Sequence, residues 1–329
     1  MLAGTMLAAC YAPADGAAEL TLREVDTPEP GPGEVRVRIA VSGVNPTDWK
    51  TRKRTPPAGL ELAIPNQDGA GTIDAVGPGV DPARVGERVW VLMAARYGSG
   101  GTAAEYTVLP NDHAVRLPED ASFELGASLG VPALTAAYCL GVDGPVTGRN
   151  VLVAGGAGAV GHAAIELARF EGAAHVAATV SGPAKGELAA AAGAHTIVDY
   201  RAADAVEQIK AAMPDGVDRF IEVALHQNLE LDLAVAGQHA VIVAYAADPD
   251  DVAAVPVRRL MAANLTLRFM LLYTVPAAAL TDAIERTSSA LAAGALTALP
   301  IHRFSLDQIA AAHDAVEQGA VGKVVVDLR

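Results

Sequence analysis

Residues Asn150–Arg169 read NVLVAGGAGAVGHAAIELAR. A β-branched run, Asn150 to Ala154, passes almost at once into Gly156-Ala157-Gly158-Ala159-Val160-Gly161, which fits GxGxxG, and then into a helical pattern. Val160, Ala163, Ala164, Leu167 and Ala168 recur at helical spacing, so this helix has one apolar face to lay on a sheet. In such a strand-turn-helix unit Gly156 permits the tight turn, Gly158 lets the backbone approach a pyrophosphate, and Gly161 lets the helix lie close on the strand. Free N–H groups and the helix dipole then face the phosphates. Glycine-rich turns of this kind also arise for packing alone. A strand before and a helix after favour the dinucleotide reading.

The next strand candidate, His175 to Val180, bears on which dinucleotide is held. An NAD-binding domain usually ends this strand with a carboxylate for the ribose diol. Here Val180, nineteen residues beyond Gly161, is followed by Ser181, Gly182, Pro183, Ala184 and Lys185. A carboxylate would repel a 2'-phosphate, whereas a hydroxyl and an ammonium bind it through charge-assisted hydrogen bonds. NADPH is favoured over NADH. Lys185 reads equally well as a solvated lysine at a helix start.

Outward from this unit, strand candidates at Thr196 to Val198, Arg219 to Val223 and Ala240 to Ala244 alternate with Ala- and Leu-rich helical stretches. That is the rhythm of parallel βαβ units. The chain before it differs. From Leu20 to about Val115, alternating runs such as Val35 to Ile39, Thr72 to Val76 and Arg88 to Val91 are punctuated by Pro and Gly, the pattern of an antiparallel β domain. A helix from Leu306 to Gln318 and a strand from Lys323 to Leu328 close the chain; pattern alone does not say which domain they join.

At 329 residues the chain exceeds the usual size of a single core, so two domains are expected. With 24 Lys and Arg against 38 Asp and Glu the formal charge is −14. Such a surface repels phosphate backbones and anionic lipid, which argues against nucleic acid and membrane partners. Two cysteines, Cys10 and Cys139, are too few for a disulfide framework or a four-thiolate zinc site, and suit a reducing cytoplasm. Leu7 to Cys10 looks like a lipoprotein cleavage box, but no basic residue precedes Cys10 and Gly4 and Thr5 interrupt the apolar run. Met6 to Ala12 therefore reads as the first strand.

Further motifs carry a resemblance: GVNPTDWKTR from Gly43, QDGAGTIDAVGPGV from Gln67, GERVW from Gly86, GGTAAEYTV from Gly100, GVPALTAAY from Gly130, AGAHTIVDYR from Ala192 and VGKVVVDL near the end. In this order and spacing, together with the glycine loop, the chain resembles the medium-chain dehydrogenase/reductase superfamily, and within it the zinc-free quinone oxidoreductases related to zeta-crystallin. The resemblance implies an α/β fold: a GroES-like β-rich catalytic domain (1–126 plus 272–329) with an inserted Rossmann domain (127–271) binding NADPH, the active site between them, and a homodimer. It also implies the absence of zinc, because Asn45 and Gln67 stand where zinc-dependent relatives carry Cys and His, and amides are poor zinc ligands.

By the same resemblance, Asn45 and Thr135 contact the nicotinamide end, Ser181, Lys185 and Tyr200 surround the 2'-phosphate, and Gly156, Gly158, Ala159, Val160 and Gly161 underlie the pyrophosphate. Asn45 and Asp48 are the catalytic candidates, although an Asp just after a turn-forming Pro also reads as a cap on local backbone. Hydride transfer requires chiefly proximity and orientation, so no side-chain acid or base is demanded. The activity implied is reduction of a small quinone or enone; reduction of a 2-enoyl thioester and non-catalytic NADPH binding, as in crystallin relatives, are the alternatives. Lys50, Arg52, Lys53 and Arg54 form a basic cluster in an acidic chain, readable as an anion site or as a solvated loop. Glu222, where the family often has Asp, and Tyr245, which would narrow the acceptor pocket, depart from the family pattern.

Overall fold

The computed structural model describes residues 4–12, 17–54, 59–96 and 100–329, and they divide into two compact units, Met1–Val131 with Ala298–Arg329, and Pro132–Thr297. The side chain of Arg54, the last member of the basic cluster, lies outside the described residues.

The first unit is GroES-like. It contains β1 (Thr5–Ala12), β2 (Ala17–Asp26), β3 (Glu34–Val44), α1 (Pro46–Arg54), β4 (Asp68–Val76), β5 (Arg88–Val91), β6 (Tyr106–Pro110), β7 (Ala114–Arg116) and α2 (Phe123–Gly126). Alternation makes β3 its spine. Val35, Val37, Ile39 and Val41 are buried on one face, while Arg36 turns outward and meets Asp74 at 2.9 Å. β3 pairs antiparallel with both β4 and β6.

α3 (Gly130–Gly141) leads into the second unit, a Rossmann-type layer of β8 (Asn150–Ala154), α4 (Ala159–Phe170), β9 (His175–Val180), α5 (Pro183–Ala191), β10 (Thr196–Asp199), α6 (Ala205–Ala212), β11 (Val217–Glu222), α7 (Leu225–Val235), β12 (Ala236–Ala244), α8 (Val257–Ala263), β13 (Thr266–Phe269) and α9 (Ala277–Ala292). The strands run in the order β10-β9-β8-β11-β12-β13, all parallel. The order reverses between β8 and β11, the switch point at which such sheets open a ligand crevice at their carboxyl edge. The strand candidates hold to within a few residues; β13 escaped the sequence reading because its four residues carry only a partial apolar pattern.

The chain then returns to the first unit through β14 (Ile301–Ser305), α10 (Ile309–Glu317) and β15 (Lys323–Asp327). β15 pairs antiparallel with β3, setting Val324 opposite Val44. One stretch differs from its reading as turn and loop: residues 46–54 form a helix. Pro46 suits the first helical position, and the Asp48 carboxylate accepts the backbone amide of Asn45 at 2.7 Å, the carboxylate half of a capping box.

Candidate functional site

In the second unit, β8 hands over to α4 through a turn whose left-handed residue is Gly155, at φ +70°, rather than Gly156. Gly156 is needed for a different reason: a β-carbon there would lie 2.7 Å from that of Ala178 on β9. At Gly161 it would lie 2.3 Å from the carbonyl oxygen of Gly155, so the helix closes on the turn only without a side chain. Gly158 is the N-cap of α4, no side-chain acceptor caps the helix, and a β-carbon there would come no closer than 3.4 Å to its nearest neighbour. The first-turn amides of Ala159 and Val160 cannot find acceptors within the helix. An uncapped, side-chain-free helix start fits an anionic diphosphate.

At the carboxyl end of β9 the ammonium of Lys185 donates to Oγ of Ser181 at 3.0 Å, drawing both groups to one spot. The amide of Tyr200 donates to the carbonyl of Val180 at 3.2 Å, which seats Tyr200 beside that strand end. The guanidinium of Arg201, unremarked in the sequence, lies over the Tyr200 ring at 5.5 Å. Asp199, opposite Val180, turns its carboxylate to the amide of Arg201 at 3.0 Å. Thr135 is buried on α3.

The other candidates meet in the first unit, in a buried polar array. The Asp48 carboxylate accepts the backbone amides of Asn45 and Gln67, at 2.7 and 3.1 Å, and so ties together the two segments carrying those residues. The Asn45 side chain is held from both ends. Its Nδ2 donates to Asp68 at 2.5 Å, and its Oδ1 accepts from the ammonium of Lys323 at 2.7 Å. The second oxygen of Asp68 accepts the Val131 amide at 2.8 Å. Burial, then the charge of Asp68, push the Asp48 carboxyl up to about 8, against the two amides that favour its ionised form. Burial raises Asp68 to about 6, opposed by Lys323, Asn45 and Val131. Burial lowers Lys323, and the two aspartates oppose that shift.

A second chain braces this array. His313 on α10 hydrogen-bonds Asn66 at 2.9 Å, Asn66 donates to Ser42 at 2.9 Å, Ser42 meets Thr102 at 2.7 Å, and Thr102 donates to the carbonyl of Asp68 at 2.6 Å. Burial, with Arg52 and Lys53 nearby, drives His313 down to about 3, so it stays neutral. The basic cluster turns toward α10: Lys53 pairs with Glu317 and lies 3.9 Å from Asp314, and Arg52 is buried. Among the described residues no group of three or more His, Cys, Asp or Glu side chains is placed to hold a metal ion.

The family described as alcohol dehydrogenase GroES-like domain matches residues 31–119, and that described as zinc-binding dehydrogenase matches residues 159–289. A quinone oxidoreductase of Rattus norvegicus is 33% identical over 213 residues, 64% of this chain and 63% of its own, so the match spans less than two thirds of that relative. A quinone oxidoreductase of Lama guanicoe is 29% identical over 319 residues, 93% of this chain and 92% of its own. The chain belongs to the medium-chain dehydrogenase/reductase superfamily, and within it is similar to quinone oxidoreductases. A mycobacterial protein solved in complex with NADPH superposes on this family member with a TM-score of 0.80 at 29% identity, covering 98% of this chain and 99% of its own. The family uses a nicotinamide cofactor.

Lys323 and Asp68 were overlooked although both lie within quoted motifs. The available signal was a Lys opening the β-branched run KVVVD, and an Asp flanked by Gln67 and Gly69 at the start of a buried strand.

Proposed function

We propose that this protein is an NADPH-dependent reductase that delivers hydride to a small quinone or conjugated carbonyl compound, without zinc. The observation that carries the reading is the carboxyl edge of β8 and β9: an uncapped glycine turn for a diphosphate beside a Ser181–Lys185 pair, with no carboxylate from Val180 to Lys185. The first-turn amides of Ala159 and Val160 bind the pyrophosphate, with Gly156, Gly158 and Gly161 giving it room. Ser181 and Lys185, flanked by Tyr200, bind the 2'-phosphate. Thr135 and Asn45 orient the nicotinamide and the acceptor, and Asp48 keeps Asn45 in place. When bound, NADPH supplies the hydride; a proton from solvent completes the reduced product.

Reduction without zinc is supported by the donors themselves. Asn45 and Gln67 are amides, and Oδ1 of Asn45 is already engaged by the Lys323 ammonium at 2.7 Å. A cation fixed by the chain stands against the group that would have to face a metal. The relatives named quinone oxidoreductase support the acceptor class, and the ion pairing of Lys53 with α10 weighs against an acyl-CoA phosphate site there.

We further place the protein in a reducing compartment as a homodimer. Both cysteines are free and buried. The edge strand β13 and the second residue beyond it leave Phe269 and Leu271 exposed, at 68% and 55%, beside unpaired backbone suited to a second copy. No helix of the described residues is long and apolar enough to cross a membrane.

The test is NADPH oxidation by purified protein against quinones, enones and enoyl-CoAs, with NADH in parallel and the oligomeric state measured by light scattering. Turnover of a quinone or enone with NADPH, at least about tenfold more efficient than with NADH, is the expected result. Failure of folded protein to take up either reduced nucleotide in calorimetry defeats the reading.

A further inference from the structure

Lys323 is only 2% exposed, and a buried ammonium is a costly group that a well-packed apolar side chain replaces without loss of stability in many proteins. Its position explains what it does. Across 278 residues of sequence it donates to Oδ1 of Asn45, while Asp68 accepts from Nδ2 of the same side chain. Turning that carboxamide over would set its N–H groups against the ammonium and its oxygen against the carboxylate. Both contacts are then repulsive at hydrogen-bonding distance in a low-dielectric site, so only one orientation survives. The anchors do not drift: Asp48 holds the Asn45 backbone amide, and Asp68 is held in turn by the Val131 amide. By donor count, Asn45 has one Nδ2 hydrogen beyond the one given to Asp68.

We propose that Lys323 is a positioning residue for the reductase reaction: with Asp68 it locks the Asn45 carboxamide as a hydrogen-bond donor for the acceptor oxygen on which negative charge develops as hydride arrives. This rests on the reductase reading above. A preoriented donor aimed at a developing oxyanion is worth about 100- to 1,000-fold in rate in other enzymes. In this family member it would take the place that a Lewis acid fills elsewhere. The lock also sets specificity, because a donor-only group favours acceptors whose reduction builds charge on oxygen.

The experiment is a double-mutant cycle on single-turnover hydride transfer at saturating NADPH, using a quinone the wild-type enzyme turns over. Asn45→Ala and Lys323→Met should each slow transfer on the order of 100-fold, and Lys323→Met should leave the NADPH dissociation constant unchanged. The double variant should be no slower than Asn45→Ala alone, because the lysine acts through the asparagine. Independent, multiplying losses, or full speed in a folded Lys323→Met protein, overturn the proposal.

Should Lys323→Met not fold, the wild-type protein still decides the matter. With asparagine labelled by the heavy nitrogen isotope, the Asn45 amide, assigned by its loss in Asn45→Ala, should show one strongly downfield, exchange-protected N–H and one ordinary N–H that shifts when a non-reducible carbonyl analogue binds. Two averaged N–H signals, or no shift, reject the lock. A wild-type enzyme that fails to oxidise NADPH with any of the quinones, enones and enoyl-CoAs sinks the reductase reading instead, so the two failures are told apart.

Discussion

A β-carbon placed on Gly161 would lie 2.3 Å from the carbonyl oxygen of Gly155, six residues back across the turn. Gly161→Ala must therefore push α4 off the end of β8. We expect it to lose about 1–3 kcal/mol of stability through overpacking, together with nucleotide binding. Gly158→Ala separates the two effects, because its β-carbon meets nothing nearer than 3.4 Å. It should cost about 1 kcal/mol or less in stability yet weaken NADPH binding roughly tenfold or more, or about 1.4 kcal/mol. Thermal unfolding and calorimetry on both variants check this pair; equal binding losses at equal stability would contradict it.

Lys185 and Ser181 converge at the end of β9, 3.0 Å apart. Removing a charged partner of a phosphate costs about 1.5–3 kcal/mol, so Lys185→Ala should lower kcat/KM for NADPH by roughly 10- to 100-fold and leave that for NADH within about twofold. Adding Val180→Asp should turn the preference toward NADH. A ratio of specificity constants that does not move means that the 2'-phosphate lies elsewhere.

Arg219 sits inside β11, and its guanidinium donates to the carbonyls of Cys139 and Leu140 at the end of α3, at 2.8 and 3.0 Å. These are carbonyls that a helix end leaves without intrahelical donors. Arg219→Met keeps the length and the apolar stem but strands the carbonyls, and should cost about 2–4 kcal/mol. Denaturant unfolding with an unchanged slope measures it; a loss under about 0.5 kcal/mol, the ordinary range of surface substitutions, would show that the cap is idle.

Glu222, at the end of β11, and Asp232, on α7, form a buried pair of carboxyls. Burial raises both, and the Glu222 charge raises Asp232 further. A carboxyl whose pKa is higher folded than unfolded binds its proton more tightly in the native state. Its stabilising share is therefore present at low pH and fades as pH rises from the ordinary carboxylate range through the raised values. Wild-type thermal stability should decline over that interval. Asp232→Asn keeps a donor toward Glu222 and removes one titration, so its decline should be shallower, with each kcal/mol worth roughly 2–4 °C. A steeper decline in the variant would show that the pair does not share its proton.

Lys53, paired with Glu317 and Asp314, and the buried Arg52 show why the basic cluster was ambiguous in sequence. Charge counting along a chain sees neighbours in sequence, while neutralisation depends on which helix packs opposite. The helix over residues 46–54 was hidden for a related reason. Its pattern is mostly polar, and the signal for its start is a carboxylate reaching back to Asn45.

The sequence by itself determined the strand-turn-helix at Asn150–Arg169, the parallel order of units that follows, and the β character of the first hundred residues. These depend on hydrophobic period and on glycine and proline spacing, which act over a few residues at a time. Tertiary structure decided that Gly155 rather than Gly156 makes the turn, because the packing of Gly156 against Ala178 depends on a neighbouring strand. It also decided the array around Asn45. Its two clamps, Asp68 and Lys323, come from β4 and β15, the first strand after α1 and the last of the chain, and become partners only where the chain's end runs antiparallel beside β3. Burial and hydrogen-bond distance exist only once the chain has crossed itself.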